Sequence, residues 1–153
     1  MIFDSIFLEF IDTLNKNDVR YVLIGGYAAI IHGVNRVTGD IDIFIERSSE
    51  NAGKVLKAIK DFGLGSIGFT EKDLTDEDVV VQMGRVPYRI DILNAIPGVT
   101  FDEAFGSAIV YEENDVKIKC IHINHLLDNK RAVGRNKDLM DVKAIEKILK
   151  RKK

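Results

Sequence analysis

At 153 residues the chain is sized for one domain with a substantial buried core. Its 46% hydrophobic and 30% charged residues are ordinary for a soluble globular protein, and no apolar run approaches the ~20 residues of a membrane helix. The formal net charge of −2 is uneven: residues 130 to 153 hold ten Lys/Arg against three Asp/Glu, a net of +7, which leaves −9 on the other 129.

Residues 3 to 15 read as an amphipathic helix, with Phe3, Ile6, Phe7, Phe10, Ile11 and Leu14 along one face. After the turn Asn15 to Asp18, residues 19 to 24 form an apolar strand and 26 to 32 a short helix. A loop over 33 to 39 carries Arg36 and Thr38, and residues 41 to 46 are the second strand. Ser48 or Ser49 caps a helix that runs to Phe62 and stops at Gly63. Residues 64 to 78 carry the weakest pattern; their acidic end, Glu71 to Asp78, reads as a surface loop or short helix. Strands follow at 79 to 83 and 87 to 93, around Gly84-Arg85. Pro97-Gly98 is a turn, and Thr100 with Glu103 makes a capping box. A hairpin turns at Asn114-Asp115, and two helices, near 124–133 and 137–150, are broken by Gly134-Arg135. This order predicts an α/β (α+β) fold: one mixed sheet, helices mainly on one face, and a C-terminal helical pair appended to a single domain spanning 1–153.

The chemistry concentrates in three places. Val22 to Gly26 is an apolar strand ending in Gly-Gly, and after thirteen intervening residues comes Asp40-Ile41-Asp42-Ile43. Side chains alternate along a strand, so Asp40 and Asp42 share a face, where two like charges repel unless a cation sits between them. Asp91, the one acid inside Tyr88 to Leu93, offers a third carboxylate from another strand. Three such groups suit two divalent ions ~3.5–4 Å apart. Mg²⁺ or Mn²⁺ fits, since hard cations take carboxylate oxygens and share them with substrate phosphates. An ion pair with Arg89 is the competing account of Asp91. The glycines Gly25 and Gly26 permit a tight strand-to-helix connection and also a close approach of backbone N–H groups to a phosphate; there is no P-loop signature. Arg36 and Thr38 stand just before the acids, where a guanidinium can brace a triphosphate, neutralise the carboxylates without metal, or form a structural pair. Lys130 and Arg135, flanking the C-terminal helix break, are candidates for phosphate or acceptor.

The spacing of Gly25-Gly26, Asp40-Ile41-Asp42 and the later Asp91 resembles the DNA polymerase β-like nucleotidyltransferase superfamily, with Gly39 standing where that pattern has an apolar residue. The string from Arg36 to Asp42, and the run from Leu127 through Lys130, Gly134, Arg135 and Asp138 to Val142, look closest to its small stand-alone members, including the AbiEii-like toxins and minimal nucleotidyltransferases. The resemblance implies transfer of NMP from an NTP such as ATP to a hydroxyl on RNA, a protein or a small molecule, in a toxin–antitoxin setting for that branch. Asp40 and Asp42 are then expected to hold both metals. Asp91 is expected to hold the catalytic one and help deprotonate the acceptor, and Gly25 and Gly26 to cradle the β and γ phosphates. A binding module on the same fold, without turnover, is the alternative.

The remaining signals are bland. His122 and His125 lack a third soft ligand for zinc. Cys120, the one cysteine, excludes an internal disulfide framework and reads as a buried, inert thiol. Acidic Asp4 and Glu9 lie where a signal peptide is basic, so a cytoplasmic protein with no membrane partner is expected. The closing basic run, Lys150 to Lys153, either guides a polyanion or simply complements the helix dipole.

Overall fold

A computed structural model describes residues 1–152. Helix α1 (Ser5–Lys16) starts two residues later than its apolar face suggests, because Asp4 caps it, accepting from the Ile6 N–H at 3.0 Å. The N–H groups of Ile2 and Phe3 are instead drawn to the Glu113 carboxylate. Strand β1 (Tyr21–Ile24) is shortened for a similar reason: Asp18 turns left-handed, the Val19 N–H returns to Leu14 O, and the Arg20 N–H goes to Asn51 Oδ1. Next come α2 (Gly25–Ile31), β2 (Asp40–Ile45) and α3 (Ser49–Asp61) capped by Ser48. The weakly patterned stretch folds into a short 3₁₀ turn (Gly65–Ile67) and α4 (Glu71–Thr75), whose capping box pairs Thr70 with Asp73. Then follow β3 (Val81–Met83), β4 (Arg89–Leu93), α5 (Phe101–Gly106) behind the expected Thr100–Glu103 box, the hairpin β5 (Ile109–Glu113) and β6 (Val116–Cys120), and the helices α6 (Ile123–Val133) and α7 (Asn136–Arg151).

The strands form one mixed sheet in the order β3-β4-β2-β1-β6-β5. β2–β4 and β1–β6 are parallel, and the other three pairs are antiparallel. Register decides which side chains share a face. Tyr21, Leu23, Ile41, Ile43, Ile45, Ile90, Ile92 and Cys120 line one side and are all buried. The two longest N-terminal helices lie over that side. The Tyr21 hydroxyl donates to Asn15 of α1, and Phe10 meets Phe62 at the end of α3 edge to face. Phe7, Phe10, Ile11 and Leu14 of α1 are fully buried, each worth about 1.5–3 kcal/mol on the transfer scale. Buried Asn51 ties α3 to the sheet, accepting from Arg20 N–H and donating to Arg20 O and Glu46 O. Cys120 lies in this core, where burial pushes its thiol up to about 12, the inert state expected of it.

The opposite face carries the acids. The short α5 packs on its far half, where Phe101 meets Phe44 edge to face, while the α6–α7 pair closes the near half. Gly134, with φ of +69°, ends α6 in the left-handed turn that lets α7 begin two residues later. Among the described residues no helix is long and apolar enough to cross a membrane.

Candidate active site

Parallel pairing of β2 with β4 builds the site. Asp42 is the Cα partner of Asp91 and Asp40 that of Arg89, so four charged side chains rise from one patch of sheet. One carboxylate oxygen from each of Asp40, Asp42 and Asp91 lies within 4.8 Å of the others. Arg89 spans two of them. Its Nε and one terminal nitrogen reach both oxygens of Asp91 at 3.0 Å, and the same terminal nitrogen reaches Asp40 at 2.8 Å. The ion pair weighed for Asp91 and the carboxylate cluster therefore coexist.

A cleft of about 270 Å³ opens over this patch. All nine residues singled out from the sequence line it: Gly25, Gly26, Arg36, Thr38, Asp40, Asp42, Asp91, Lys130 and Arg135. Arg89, Gln82 and Asp138, to which sequence reasoning gave no site role, line it too, as does Lys137, which flanks the same helix break as Lys130 and Arg135. A signal existed for Arg89, two residues before Asp91 and hence on the same strand face.

The sequence from residue 4 to 153 matches the model of a family described as nucleotidyl transferase of unknown function (DUF2204). The chain belongs to this family. The nucleotidyl transferase assignment agrees with the resemblance carried by its glycines and aspartates. The fold is similar to that of the antibiotic-resistance factor ANT(2'')-Ia in solution, with a TM-score of 0.54 and 12% identity over 95% of this chain and 83% of that one, a likeness of fold alone. No curated protein matches the sequence.

Electrostatics set this nucleotidyl transferase's acids apart from ordinary surface carboxylates. Burial pushes the Asp42 carboxyl up to about 7, and the charges of Asp40 and Asp91 push the same way, partly offset by Lys130 and Lys137. Burial also raises Asp91, against the pull of Arg89. Three crowded, partly desolvated carboxylates are costly until a cation joins them, and an all-oxygen donor set selects a hard divalent ion. The residues present thus fit a Mg²⁺ or Mn²⁺ site. Arg89 is the cation that now neutralises two of them. Arg89→Met is expected to tighten Mn²⁺ binding about tenfold, since a competing charge is removed, and to lower the melting temperature of the metal-free protein. Calorimetric titration with Mn²⁺ checks this, and weaker binding by the variant contradicts it.

The glycines are required by the acids themselves. Gly25 has φ of +73°, and a Cβ there would lie 2.1 Å from an Asp42 carboxylate oxygen. At Gly26 a Cβ would lie 2.7 Å from Thr38 Oγ1, the hydroxyl that sits 3.5 Å from Asp40 Oδ1. Gly25→Ala is expected to cost about 2 kcal/mol or more in a denaturant melt, from left-handed strain plus displacement of Asp42.

The cations assigned to phosphate or acceptor prove to be held by acids of α7. Arg36 pairs with Asp141 at 2.5 Å, so it does not neutralise the triad; Arg89 does. Lys130 is 4% exposed and sits 2.7 Å from Asp141 and 3.7 Å from Asp138. Arg135 binds Asp138 at 2.7 Å, and its backbone N–H reaches the same carboxylate. The histidines have local partners: His122 caps α6 by accepting from the Asn124 N–H, and His125 pairs with Ser107.

Proposed function

We propose that the protein transfers the nucleoside monophosphate of an NTP to a hydroxyl acceptor, and that it needs a divalent metal to do so. The observation that carries this reading is the convergence of Asp40, Asp42 and Asp91 on one sheet face, with Asp42 raised to about 7. Asp40 and Asp42 would hold two ions and Asp91 one of them. Mg²⁺ or Mn²⁺ at such a site neutralises phosphate charge and lowers the pKa of an oxygen bound to it. Arg89 would give up its bonds to Asp40 and Asp91 to a metal held there. Gly25 and Gly26 leave the backbone bare toward the β and γ phosphates, beside Arg36. Lys130, Arg135 and Lys137 supply positive potential along the same cleft. The acceptor oxygen bonds to the α-phosphorus, the bond to the β-phosphate bridging oxygen breaks, pyrophosphate leaves with the electron pair, and Asp91 takes the hydroxyl proton.

The acceptor classes are RNA, a partner protein or a small molecule, and the AbiEii-like resemblance adds a toxin–antitoxin setting. Incubation with each α-³²P NTP, Mg²⁺ or Mn²⁺, total RNA and lysate tests the reading against an Asp40→Ala/Asp42→Ala control. The expected result is label on an acceptor that disappears in the control. Metal-dependent NTP binding without any transfer would instead support a binding module on this fold.

A further inference from the structure

Two residues beyond Asp42 on the same face of β2, Phe44 opens a second cleft, of about 520 Å³. It runs past Glu46, Asn94, Phe101 and Asp102, and it shares the side chain of Ile96 with the carboxylate cleft. One of its walls is unfinished. Asn94 is 7% exposed, its amide nitrogen donates to Asp76 O at 2.9 Å, and its Oδ1 is buried with no donor in the protein. Asn94 lines the cleft, and a buried amide oxygen left unpaired costs about 1–3 kcal/mol, so a ligand N–H or O–H that reaches it is favoured.

The placement has a chemical meaning. In-line displacement at phosphorus requires the attacking and leaving oxygens on opposite sides. Gly25, Gly26 and Arg36 crowd the start of β2, where the polyphosphate is read above. The second cleft lies toward the end of the same strand, with Glu46 about 13 Å from Asp42 at four residues' rise. The acids stand between the two.

We propose that the second cleft holds the acceptor, and that the acceptor is a compact hydroxyl compound, neutral or cationic, and not a phosphate-bearing one. This rests on the nucleotidyl-transfer reading above; the acceptor oxygen, entering from the Phe44 side, is the one that displaces pyrophosphate there. The lining sets the class. Asn94 Oδ1 accepts only. Glu46 is matched by Arg20, and Arg47 by Glu77, which leaves Asp102 in no ion pair among the described residues. That lining attracts donors and cations and repels a nucleic-acid backbone, while Phe44 and Phe101 give a sugar-sized molecule an apolar floor.

The test is an NMR titration of ¹⁵N-labelled protein with glucose, glucosamine, glucose 6-phosphate and a ribotrinucleotide. The readout is the side-chain amide of Asn94 and the backbone amides of Ala95 and Val99. Glucose and glucosamine are expected to shift these signals, glucosamine most strongly, and glucose 6-phosphate to bind at least about tenfold more weakly. Asn94→Leu should abolish the shifts. Because that change also cuts the bond to Asp76, the exposed Asp102→Lys serves as a second variant and should reverse the order of glucosamine and glucose 6-phosphate. The proposal falls if none of the sugars shifts these residues, if the phosphate or the trinucleotide binds best, or if Asp102→Lys leaves the order unchanged. Titration with ATP and Mg²⁺, read at Gly25 and Gly26, separates the two levels. ATP binding without sugar binding removes the acceptor cleft alone, whereas sugar binding without ATP binding removes the transfer reading and the acceptor role with it.

Discussion

Asp42→Asn is expected to abolish nucleotide transfer and yet make the metal-free protein more stable. Loss of a carboxylate shared by both ions should lower the rate by about 10³-fold or more, roughly 4 kcal/mol of transition-state stabilisation. The stability change follows from proton linkage. The Asp42 carboxyl ionises near 3.8 when unfolded and near 7 when folded. Between those values the native state keeps a proton that the unfolded state has lost, so stability falls as pH rises through the window and levels off above it. Asparagine carries no such proton and escapes the loss. Above pH 7 the gap is on the order of 2–4 kcal/mol at 1.36 kcal/mol per unit, less whatever Arg89 and the lysines recover by relaxing. Thermal melts at pH 5 and pH 8, each with chelator or Mg²⁺, read all of this. The variant should gain at pH 8 and little at pH 5, and Mg²⁺ should raise the melting temperature of the wild type alone. A variant less stable than wild type at pH 8 would mean that Asp42 is not held at a cost.

That tension is why the acids were readable from sequence at all. A strand of Ile and Phe has no packing use for Asp40 and Asp42 on one face, nor a second apolar strand for Asp91, so their presence marks chemistry. The Gly-Gly pair was readable for a related reason: a Cβ at Gly25 meets Asp42 itself. The Asp42–Asp91 pairing was not, because it comes from a parallel register between strands with 43 residues between them, and register is fixed by the whole sheet. Which of its three roles Arg36 takes was not legible, for the same kind of reason. Its partner, Asp141, is 105 residues away, and nothing local to either residue announces the other. Helix and strand ends slipped by a residue or two wherever a cap or a helix exit took over, as at Asp4 and Asp18. Residues 64 to 78 held one usable sign, the Thr70–Asp73 capping box, but a five-residue helix gives too little periodicity to support it. The second cleft has no sequence signature. Nothing local to Asn94 announces that the fold leaves its Oδ1 without a donor.

The C-terminal pair carries the other large effect. Asp141→Ala should destabilise the protein by about 3–5 kcal/mol, the usual cost of leaving a buried charge without its partner. Lys130 is nearly sealed from solvent, and with Asp141 gone its nearest acid is Asp138 at 3.7 Å, a carboxylate already bound by Arg135 at 2.7 Å. Arg36 would be released into the cleft in the same step. Removing both sides of the main pair is different: Lys130→Met with Asp141→Leu deletes the two buried charges together and should recover most of the stability. That double variant separates architecture from binding. If Lys130 served only to fasten α6 to α7, the repaired protein would bind ATP and Mg²⁺ as the wild type does. Lys130 lines the carboxylate cleft, however, and already depresses the Asp42 carboxyl through space. The expected result is therefore a stable protein with ATP binding weakened by about tenfold or more, from loss of one charge-assisted contact. Urea melts give the first quantity and calorimetric titration the second. Full ATP affinity in the repaired variant would confine Lys130 to a structural role and leave Arg135 and Lys137 as the cations facing the triphosphate.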